Sequence, residues 1–228
     1  NAIIDYSFSL IDKNSNLPDV IEDLKDENID FAIKGEGEMP MVKLVEAIIN
    51  DGDIGKVPGL VKKIGQKKYF INSKSEKHDL NLLPRPARHL VNMEGYFKIG
   101  AFQSAKARSN RVLSVQCSRG CPEKCNFCTT PQMWGANIRW RSTEHIMNEI
   151  NNDVKEYKIG EIQFLDDTLT VHKKHLYSLC TELEKLGLPW CTPNGTKVNY
   201  HLKDQLDMYK KMSESGCYQI TLACESGV

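Results

Sequence analysis

Four of the eight cysteines stand within twelve positions, at Cys117, Cys121, Cys125 and Cys128. A glycine and a proline lie among them, which favours a tight loop, and packing alone gives no reason for such a density of thiols. The last three have the spacing Cys-x3-Cys-x2-Cys, which suits a [4Fe-4S] cluster in which one iron keeps an open coordination position. Two alternatives stay open, namely a zinc site, which usually needs four closed ligands in two separated pairs, and purely structural thiols.

The other cysteines lie in apolar helical or strand-like runs, at Cys180, Cys191, Cys217 and Cys224. Free cysteine is among the residues most often buried, so we expect these four and Cys117 in the core. The visible start of the chain, at Asn1, carries no basic-then-apolar leader. We therefore expect a reduced, intracellular compartment rather than a disulfide framework, and the chain to be a piece of a longer one.

Strands and helices alternate from Arg111 onward. Apolar runs predict strands at 112–117, 162–165, 190–198 and 218–224, with helical apolar stripes between them and Ser142 as the N-cap of the first helix. This alternation predicts a parallel sheet, in which ligands bind beyond the carboxyl ends of the strands. Polar groups fall at or near those ends in the cysteine loop and in the pairs Asp166-Asp167, Asn194-Gly195 and Glu225-Ser226. We expect one site to span that edge.

The first hundred residues have the pattern of the end of another α/β unit. We predict a helix over 17–24, a strand over 29–33, a helix from Met41 to Ile49 and a hairpin around Gly65-Gln66. The run Asn81-Leu-Leu-Pro-Arg-Pro86 breaks regular structure and predicts an inter-domain linker.

These motifs resemble the radical S-adenosylmethionine (SAM) superfamily, with Cys121, Cys125 and Cys128 on the family's cluster motif. The runs that start at Cys128 (CTTPQMWG), Phe164 (FLDDT), Asn194 (NGTKV) and Cys224 (CESG) are similar to the branch with an N-terminal cobalamin-binding domain. The resemblance implies an α/β fold in which a truncated, partial (β/α) barrel follows the tail of a Rossmann-like cobalamin-binding domain.

The resemblance also implies a division of the chain. We expect residues 1–80 to be the C-terminal part of the Rossmann-like domain plus the hairpin, 81–107 a linker, and 108–228 the first four βα units of an incomplete radical SAM core. The family's Asp-x-His-x-x-Gly loop, whose histidine ligates cobalt, does not occur in the chain, and the Gly-Gly-x-His-like segment expected around residues 7–13 is also missing. Whether cobalamin is bound is therefore left open here.

An enzyme mechanism follows from the same resemblance. Three thiolates leave one iron for the amino and carboxylate groups of SAM, and an electron from the cluster cleaves SAM to methionine and a 5′-deoxyadenosyl radical. Further SAM contacts are implied near the amino group (Asp166, Asp167), the carboxylate (Lys197), the ribose or amino group (Glu225, Ser226) and the adenine (Phe127). Each has a structural alternative, such as a helix cap, a solvated lysine or an ion pair.

We expect cobalamin-linked methyl transfer or rearrangement at an unreactive carbon of a small molecule or lipid precursor, with flavodoxin or ferredoxin as an electron donor. One alternative is a methylthiotransferase acting on tRNA or protein, which needs three further cysteines, and none precedes Cys117. Another is a non-catalytic zinc- or nucleic-acid-binding module. The 30 basic and 30 acidic residues argue against a bulk nucleic-acid binder, and no apolar run reaches the roughly 18–20 residues that span a bilayer. We expect a cytoplasmic protein.

Overall fold

The computed structural model describes residues 2–4, 24, 28–65, 68–72, 77–100, 102–104 and 106–223. These residues form two compact units, one from 1–83 and 120–138 and the other from 84–119 and 139–228. Several predictions fall outside the described residues: the helix over 17–24 apart from Leu24, the segment 7–13, and the site residues Glu225 and Ser226. The predicted domain boundaries stay a prediction.

In chain order the elements are β1 (Ala2–Ile4), β2 (Ile29–Ile33), α1 (Glu38–Ile49), β3 (Leu60–Gly65), β4 (Lys68–Ile71), α2 (Met93–Ile99), β5 (Val112–Val115), β6 (Ser118–Arg119), α3 (Thr130–Met133), β7 (Arg139–Trp140), α4 (Thr143–Tyr157), β8 (Glu161–Phe164), α5 (Lys173–Leu186), β9 (Trp190–Thr196), α6 (Gln205–Glu214) and β10 (Cys217–Leu222). No helix among the described residues is long and apolar enough to cross a membrane.

The first unit contains a four-stranded sheet in the order β1-β2-β3-β4. Strands β1 and β2 are parallel, whereas β2, β3 and β4 pair antiparallel. Helix α1 buries Leu44 against Val57 and Leu60 on one face of the sheet, and Ala32 and Val61 point to the other face because side chains alternate along a strand. The predicted strand over 29–33, the helix that ends at Ile49 and the hairpin are confirmed.

The second unit contains a parallel sheet in the order β10-β9-β8-β5. Helices α4, α5 and α6 supply the apolar stripes that cover it, and the core is closed by large side chains that include Phe164 and Trp190, whose rings meet edge to face. The Oγ atom of Ser142 accepts a 3.1 Å hydrogen bond from the His145 amide, as expected of the N-cap of α4. The α/β class and the parallel sheet are confirmed.

Three short features were not predicted. Strands β6 and β7 have two residues each and pair antiparallel, α3 has four residues, and α2 lies within the segment that we expected to be a linker. Helix α2 is capped at both ends, since Asn92 accepts a hydrogen bond from the Gly95 amide and Gly100 has φ +64°. The residues from Pro84 onward belong to the second unit.

Candidate functional site

The cysteine loop occupies residues 120–138, between β6 and β7. These two strands form the stem of the loop, where Ser118 pairs with Trp140 and Arg119 with Arg139. The first loop residue, Gly120, has φ +108°, and a Cβ atom there would lie 2.9 Å from the Gly135 carbonyl oxygen and 2.8 Å from the Asn137 carbonyl oxygen. Only glycine fits this position without moving the backbone.

The three cysteines of the motif lie near the surface. Cys125 is exposed, and Cys121 and Cys128 are half-buried. The Cys128 amide donates to the Cys125 carbonyl oxygen over 3.1 Å, and the Cys121 amide donates to the Gly135 carbonyl oxygen over 3.3 Å. Across the part of the chain that the structure describes, no three His, Cys, Asp or Glu side chains are already gathered as metal ligands.

The donor set nevertheless fits an iron–sulfur cluster in type, number and accessibility. Thiolates are the usual protein ligands of such clusters, and three of them leave one iron for another ligand. All three cysteines lie on one short loop, and none of them is fully buried. Cys121, Cys125 and Cys128 are the residues that would hold the cluster.

The cysteines assigned to the core behave differently. Cys117, Cys180 and Cys191 are buried, and burial raises the pKa of each thiol, for Cys117 with the charge of Asp166 as a second cause. Cys217 is half-buried, and burial raises the pKa of its thiol to about 12. A raised pKa disfavours the thiolate that a metal needs. Cys117, Cys180 and Cys191 belong to the buried core and Cys217 packs against it, as expected of packing residues. Cys224 lies outside the described residues.

Asp166 lies just after β8 and is fully buried, and it forms hydrogen bonds with the residues at the start of β6. Its Oδ2 and Oδ1 atoms lie 3.0 and 3.2 Å from the Cys117 amide nitrogen, and Oδ1 also accepts a hydrogen bond from the Ser118 hydroxyl. Burial raises the pKa of this carboxyl to about 6, although the hydrogen bonds from Ser118 and Cys117 act in the opposite direction. Asp166 therefore fastens the start of the loop stem to the edge of the sheet, and its contact with SAM stays a prediction.

Asn194 makes the matching connection on the other side of Asp166. Its Nδ2 atom donates to the carbonyl oxygens of Leu165, at 2.9 Å, and Asp166, at 3.1 Å, which ties β9 to the end of β8. Asp167 is half-buried in the same turn. The second unit thus brings Asp166, Asp167 and Asn194 to one edge of its sheet, where the sequence predicts a site.

Two of the other predicted SAM contacts, Lys197 and Phe127, lie among the described residues. Lys197 is exposed, and its Nζ atom lies 5.8 Å from the centre of the Tyr200 ring. Phe127 is 67% exposed on the cysteine loop. Their roles toward SAM stay predictions, as do those of Glu225 and Ser226.

Sequence reasoning did not identify the residues that brace the loop stem. The Arg141 amide donates to the Cys117 carbonyl oxygen over 2.8 Å, and its guanidinium group donates to the Gln116 carbonyl oxygen over 2.9 Å and to Glu149 over 2.6 Å. A signal was present, because Glu149 stands beside Ile146 and Ile150 in the buried stripe of α4, where a charged residue requires a partner.

The radical SAM superfamily profile matches residues 115–227. This range includes the cysteine loop, the strands β8, β9 and β10, and the last residue of β5, Val115. The chain belongs to the radical SAM superfamily. The predicted membership is confirmed.

Several curated relatives are named as methyltransferases or methylases. The chain is 34% identical over 226 residues to the cytidylyl-2-hydroxyethylphosphonate methyltransferase of Streptomyces wedmorensis, covering 90% of this chain and 42% of that protein. It is 30% identical over 200 residues to the hopanoid C-3 methylase of Methylococcus capsulatus, covering 86% of this chain and 34% of that protein. The chain thus spans less than half the length of these relatives.

Solved structures share the fold. The cobalamin-dependent SAM radical enzyme OxsB, with aqua-cobalamin and SAM bound, matches with a TM-score of 0.72 at 17% identity over 99% of this chain and 31% of its own. The radical SAM methyltransferase TsrM from Kitasatospora setae matches with a TM-score of 0.65 at 15% identity over 89% of this chain and 38% of its own. These likenesses show that the chain shares the fold of these solved structures.

Proposed function

We propose that this chain is part of a radical SAM enzyme that transfers a methyl group to, or rearranges, an unreactive carbon of a small molecule or lipid precursor. The observation that carries the proposal is the set of three accessible cysteines at Cys-x3-Cys-x2-Cys spacing, on the loop that follows the first strand of a parallel sheet. When bound, a [4Fe-4S] cluster and SAM supply an electron and a cleavable sulfur–carbon bond, whose cleavage gives methionine and a 5′-deoxyadenosyl radical.

The chain's own residues hold and orient these groups. Cys121, Cys125 and Cys128 ligate iron, and Gly120 permits the sharp turn that starts their loop. Asp166 fixes Cys117 and Ser118 at the start of the stem, and Asn194 keeps the end of β8 in register with β9. Fixed positions at the ends of parallel strands are where a fold of this kind presents groups to a ligand.

SAM is proposed to contact the same edge of the sheet. The predicted contacts there are Asp166 and Asp167. The carboxylate of Asp166 also accepts hydrogen bonds from Cys117 and Ser118. Lys197, Phe127, Glu225 and Ser226 remain the proposed contacts for the carboxylate, the adenine and the ribose or amino group.

Cobalamin linkage, the substrate class, the electron donor and the location belong to the proposal as well. The relatives named above as methyltransferases act, by their names, on a phosphonate and a hopanoid, which supports a small-molecule or lipid substrate. We assign no residue of this chain to cobalamin, because it contains no Asp-x-His-x-x-Gly run. A flavodoxin or ferredoxin is the proposed source of electrons, which suits a cytoplasmic enzyme.

The first test is whether the cysteine loop binds the cluster. Anaerobic reconstitution with iron and sulfide should give a brown protein with a broad absorbance band near about 400 nm and a ratio of about four irons per chain. Cys125→Ala should lose that absorbance, because two thiolates are too few to hold the cluster. With a reductant, the full-length enzyme should convert SAM to 5′-deoxyadenosine, and the variant should not.

The matched control is Cys217→Ala, which removes a half-buried thiol outside the loop. We expect this variant to keep its iron and its absorbance. If Cys125→Ala retains as much iron as Cys217→Ala, the loop is not the ligand set. A colourless protein that retains zinc would overturn the proposed function.

A further inference from the structure

Two buried carboxylates of helix α4 hold a segment that arrives from elsewhere in the chain. We define the strap as residues 84–90. Its Arg88 lies 2.7 Å from Asp153 Oδ2 and 3.0 Å from Glu149 Oε1, and its Arg85 lies 3.2 Å from Asp153 Oδ1. The Asp153 side chain has no exposed surface and that of Glu149 is 3% exposed. The strap is therefore fixed to α4 through desolvated ion pairs.

The two arginines that pair with Glu149 come from different segments of the chain, whereas those that pair with Asp153 come from one segment. Its Oε1 atom faces Arg88 of the strap, while its Oε2 atom accepts a 2.6 Å hydrogen bond from Arg141, directly after β7. Both arginines of Asp153 come from the strap. Glu149 is thus the carboxylate that joins the strap to the stem of the cysteine loop.

Arg141 carries this connection into the stem. Its backbone amide donates to the Cys117 carbonyl oxygen over 2.8 Å, and its guanidinium group donates to the Gln116 carbonyl oxygen over 2.9 Å. The third contact of the guanidinium group is His145 Nδ1, at 3.0 Å. Glu149 orients the guanidinium group of Arg141. Because Arg141 follows β7 and bonds to Gln116 and Cys117, which precede β6, Glu149 acts on both strands of the stem through the side chain of Arg141.

Loss of either arginine, Arg88 or Arg141, should weaken the connection through Glu149. A buried carboxylate that loses one of its partners keeps its desolvation cost, so breaking such a pair is much more costly than breaking one at the surface. Arg88 and Arg141 are 14% and 12% exposed in their side chains, which leaves little water to replace a lost partner. Displacing the strap would therefore weaken the orientation of Arg141.

We propose that Glu149 is a positioning residue, which transmits the docking of the strap on α4 to the stem of the cysteine loop. A docked strap holds the stem in the register that presents Cys121, Cys125 and Cys128, and a released strap loosens it. The coupling itself is independent of the proposed function. Only its consequence for the cluster rests on that function.

The test is hydrogen exchange measured on the full chain. Glu149→Gln keeps the shape of the side chain and leaves the contacts of Arg88 with Asp153 and with the Ser114 carbonyl oxygen. We expect the amides of Cys117 and Arg141 to exchange at least about fivefold faster than in the wild type, because the two residues directly flank the strands of the stem. Arg88→Gln should have the same effect, although the substituted residue is in the strap.

Arg85→Gln is the matched control, because Arg85 contacts Asp153 and Glu156 but not Glu149. We expect faster exchange in the strap and unchanged exchange in the stem. If Glu149→Gln and Arg88→Gln leave stem exchange as in the wild type while their helical circular dichroism is retained, the proposal is wrong. Equal acceleration in Arg85→Gln would also overturn it, since the effect would then be a general loosening.

A second measurement follows the cluster. After reconstitution, Glu149→Gln should bind iron as the wild type does but give a broader electron paramagnetic resonance signal in the reduced state, because the three thiolates are held less uniformly. Unchanged line width with accelerated stem exchange would restrict the role of Glu149 to the fold. Absence of a cluster in the wild type would instead refute the proposed function and leave the exchange result standing.

Discussion

The carboxylate of Asp166 is the most constrained polar group at the candidate site. It is fully buried and spends its hydrogen-bonding capacity on the Cys117 amide and the Ser118 hydroxyl. An ionised group in such a place is disfavoured by desolvation, and the raised pKa, about 6, records that desolvation outweighs the bonds. The residue therefore combines a structural connection with a titration close to neutral pH.

This titration has a definite effect on stability. The folded-state pKa of about 6 is above the ordinary value of 3.8, so the folded protein binds the proton more tightly than the unfolded chain does. The contribution of Asp166 to the free energy of unfolding is then largest below pH 3.8 and falls by about 3 kcal/mol as the pH rises to about 6. Above that range it is constant.

The measurement is urea unfolding of the wild type and Asp166→Asn between pH 4 and pH 7.5 (approximate limits set by the same range). The stability of the wild type relative to the variant should decline with rising pH and level off above about 6.5. Asn cannot titrate, so other carboxylates cancel in the difference. A difference that does not change with pH would contradict the assigned environment of Asp166.

At the scale of elements, length determined what could be predicted. Helices of ten or more residues with an apolar stripe, such as α4 and α5, and strands of the parallel sheet were found from periodicity. The two-residue strands β6 and β7 carry no periodicity, and α2 depends on its capping by Asn92 and Gly100 within a segment of mixed pattern. Strands β6 and β7 follow from their mutual pairing more than from local sequence.

The candidate site divides in the same way. The three cysteines and Asp166 were identified because they stand at fixed places relative to a motif or a strand end. The brace of the stem was not, because Arg88 and Glu149 are 61 positions apart and no local pattern relates them. Ion pairs between distant segments become visible only when the fold brings them together.

Gly120 and Gly187 allow a test of what the start of the loop requires. Both have positive φ, at +108° and +69°, but an added Cβ atom would meet two carbonyl oxygens at Gly120 and nothing within 4 Å at Gly187. Gly187→Ala should cost about 1–2 kcal/mol, the ordinary penalty of a left-handed conformation. Gly120→Ala should cost more and, because its loop carries the ligands, should also lower the iron bound after reconstitution.

Urea unfolding and iron content of the two variants measure these effects separately. Gly187→Ala is expected to bind as much iron as the wild type, since Gly187 ends α5 far along the chain from the cysteines. Equal iron retention in Gly120→Ala would show that the turn at Gly120 is not needed to present the thiolates.

At the scale of the whole molecule, the two compact units are not contiguous along the chain. The chain leaves the first unit after Leu83, returns at Gly120 with the cysteine loop and leaves again after Ile138. The loop that carries the proposed ligands is thus assigned to one unit while its stem belongs to the other.

The pH dependence of stability also belongs to the scale of the whole molecule, because the pKa shifts of Asp166 and His175 have opposite effects on it. The His175 ring packs on Trp140, with ring centres 4.5 Å apart, and its amide donates to Nδ1 of His172. Burial lowers the pKa of His175 to about 4, with the charge of His172 as a further cause. A base with a lowered folded-state pKa stabilises the fold above its ordinary pKa of 6.5, and that contribution is lost as the pH falls toward 4.

The two contributions have opposite slopes over an overlapping range, so we expect them largely to offset each other in the wild type between about pH 4 and pH 6. Replacing His175 by Gln should expose the slope of Asp166, and the free energy of unfolding of this variant, relative to the wild type, should fall as the pH rises from about 4 to about 6.5. The free energy of unfolding of Asp166→Asn, relative to the wild type, should rise over the same pH range. The double variant should show a nearly pH-independent difference from the wild type, because the two contributions that it removes offset each other. Urea unfolding of the four proteins across this range makes the comparison, and parallel slopes in the two single variants would refute the assignment of opposite shifts.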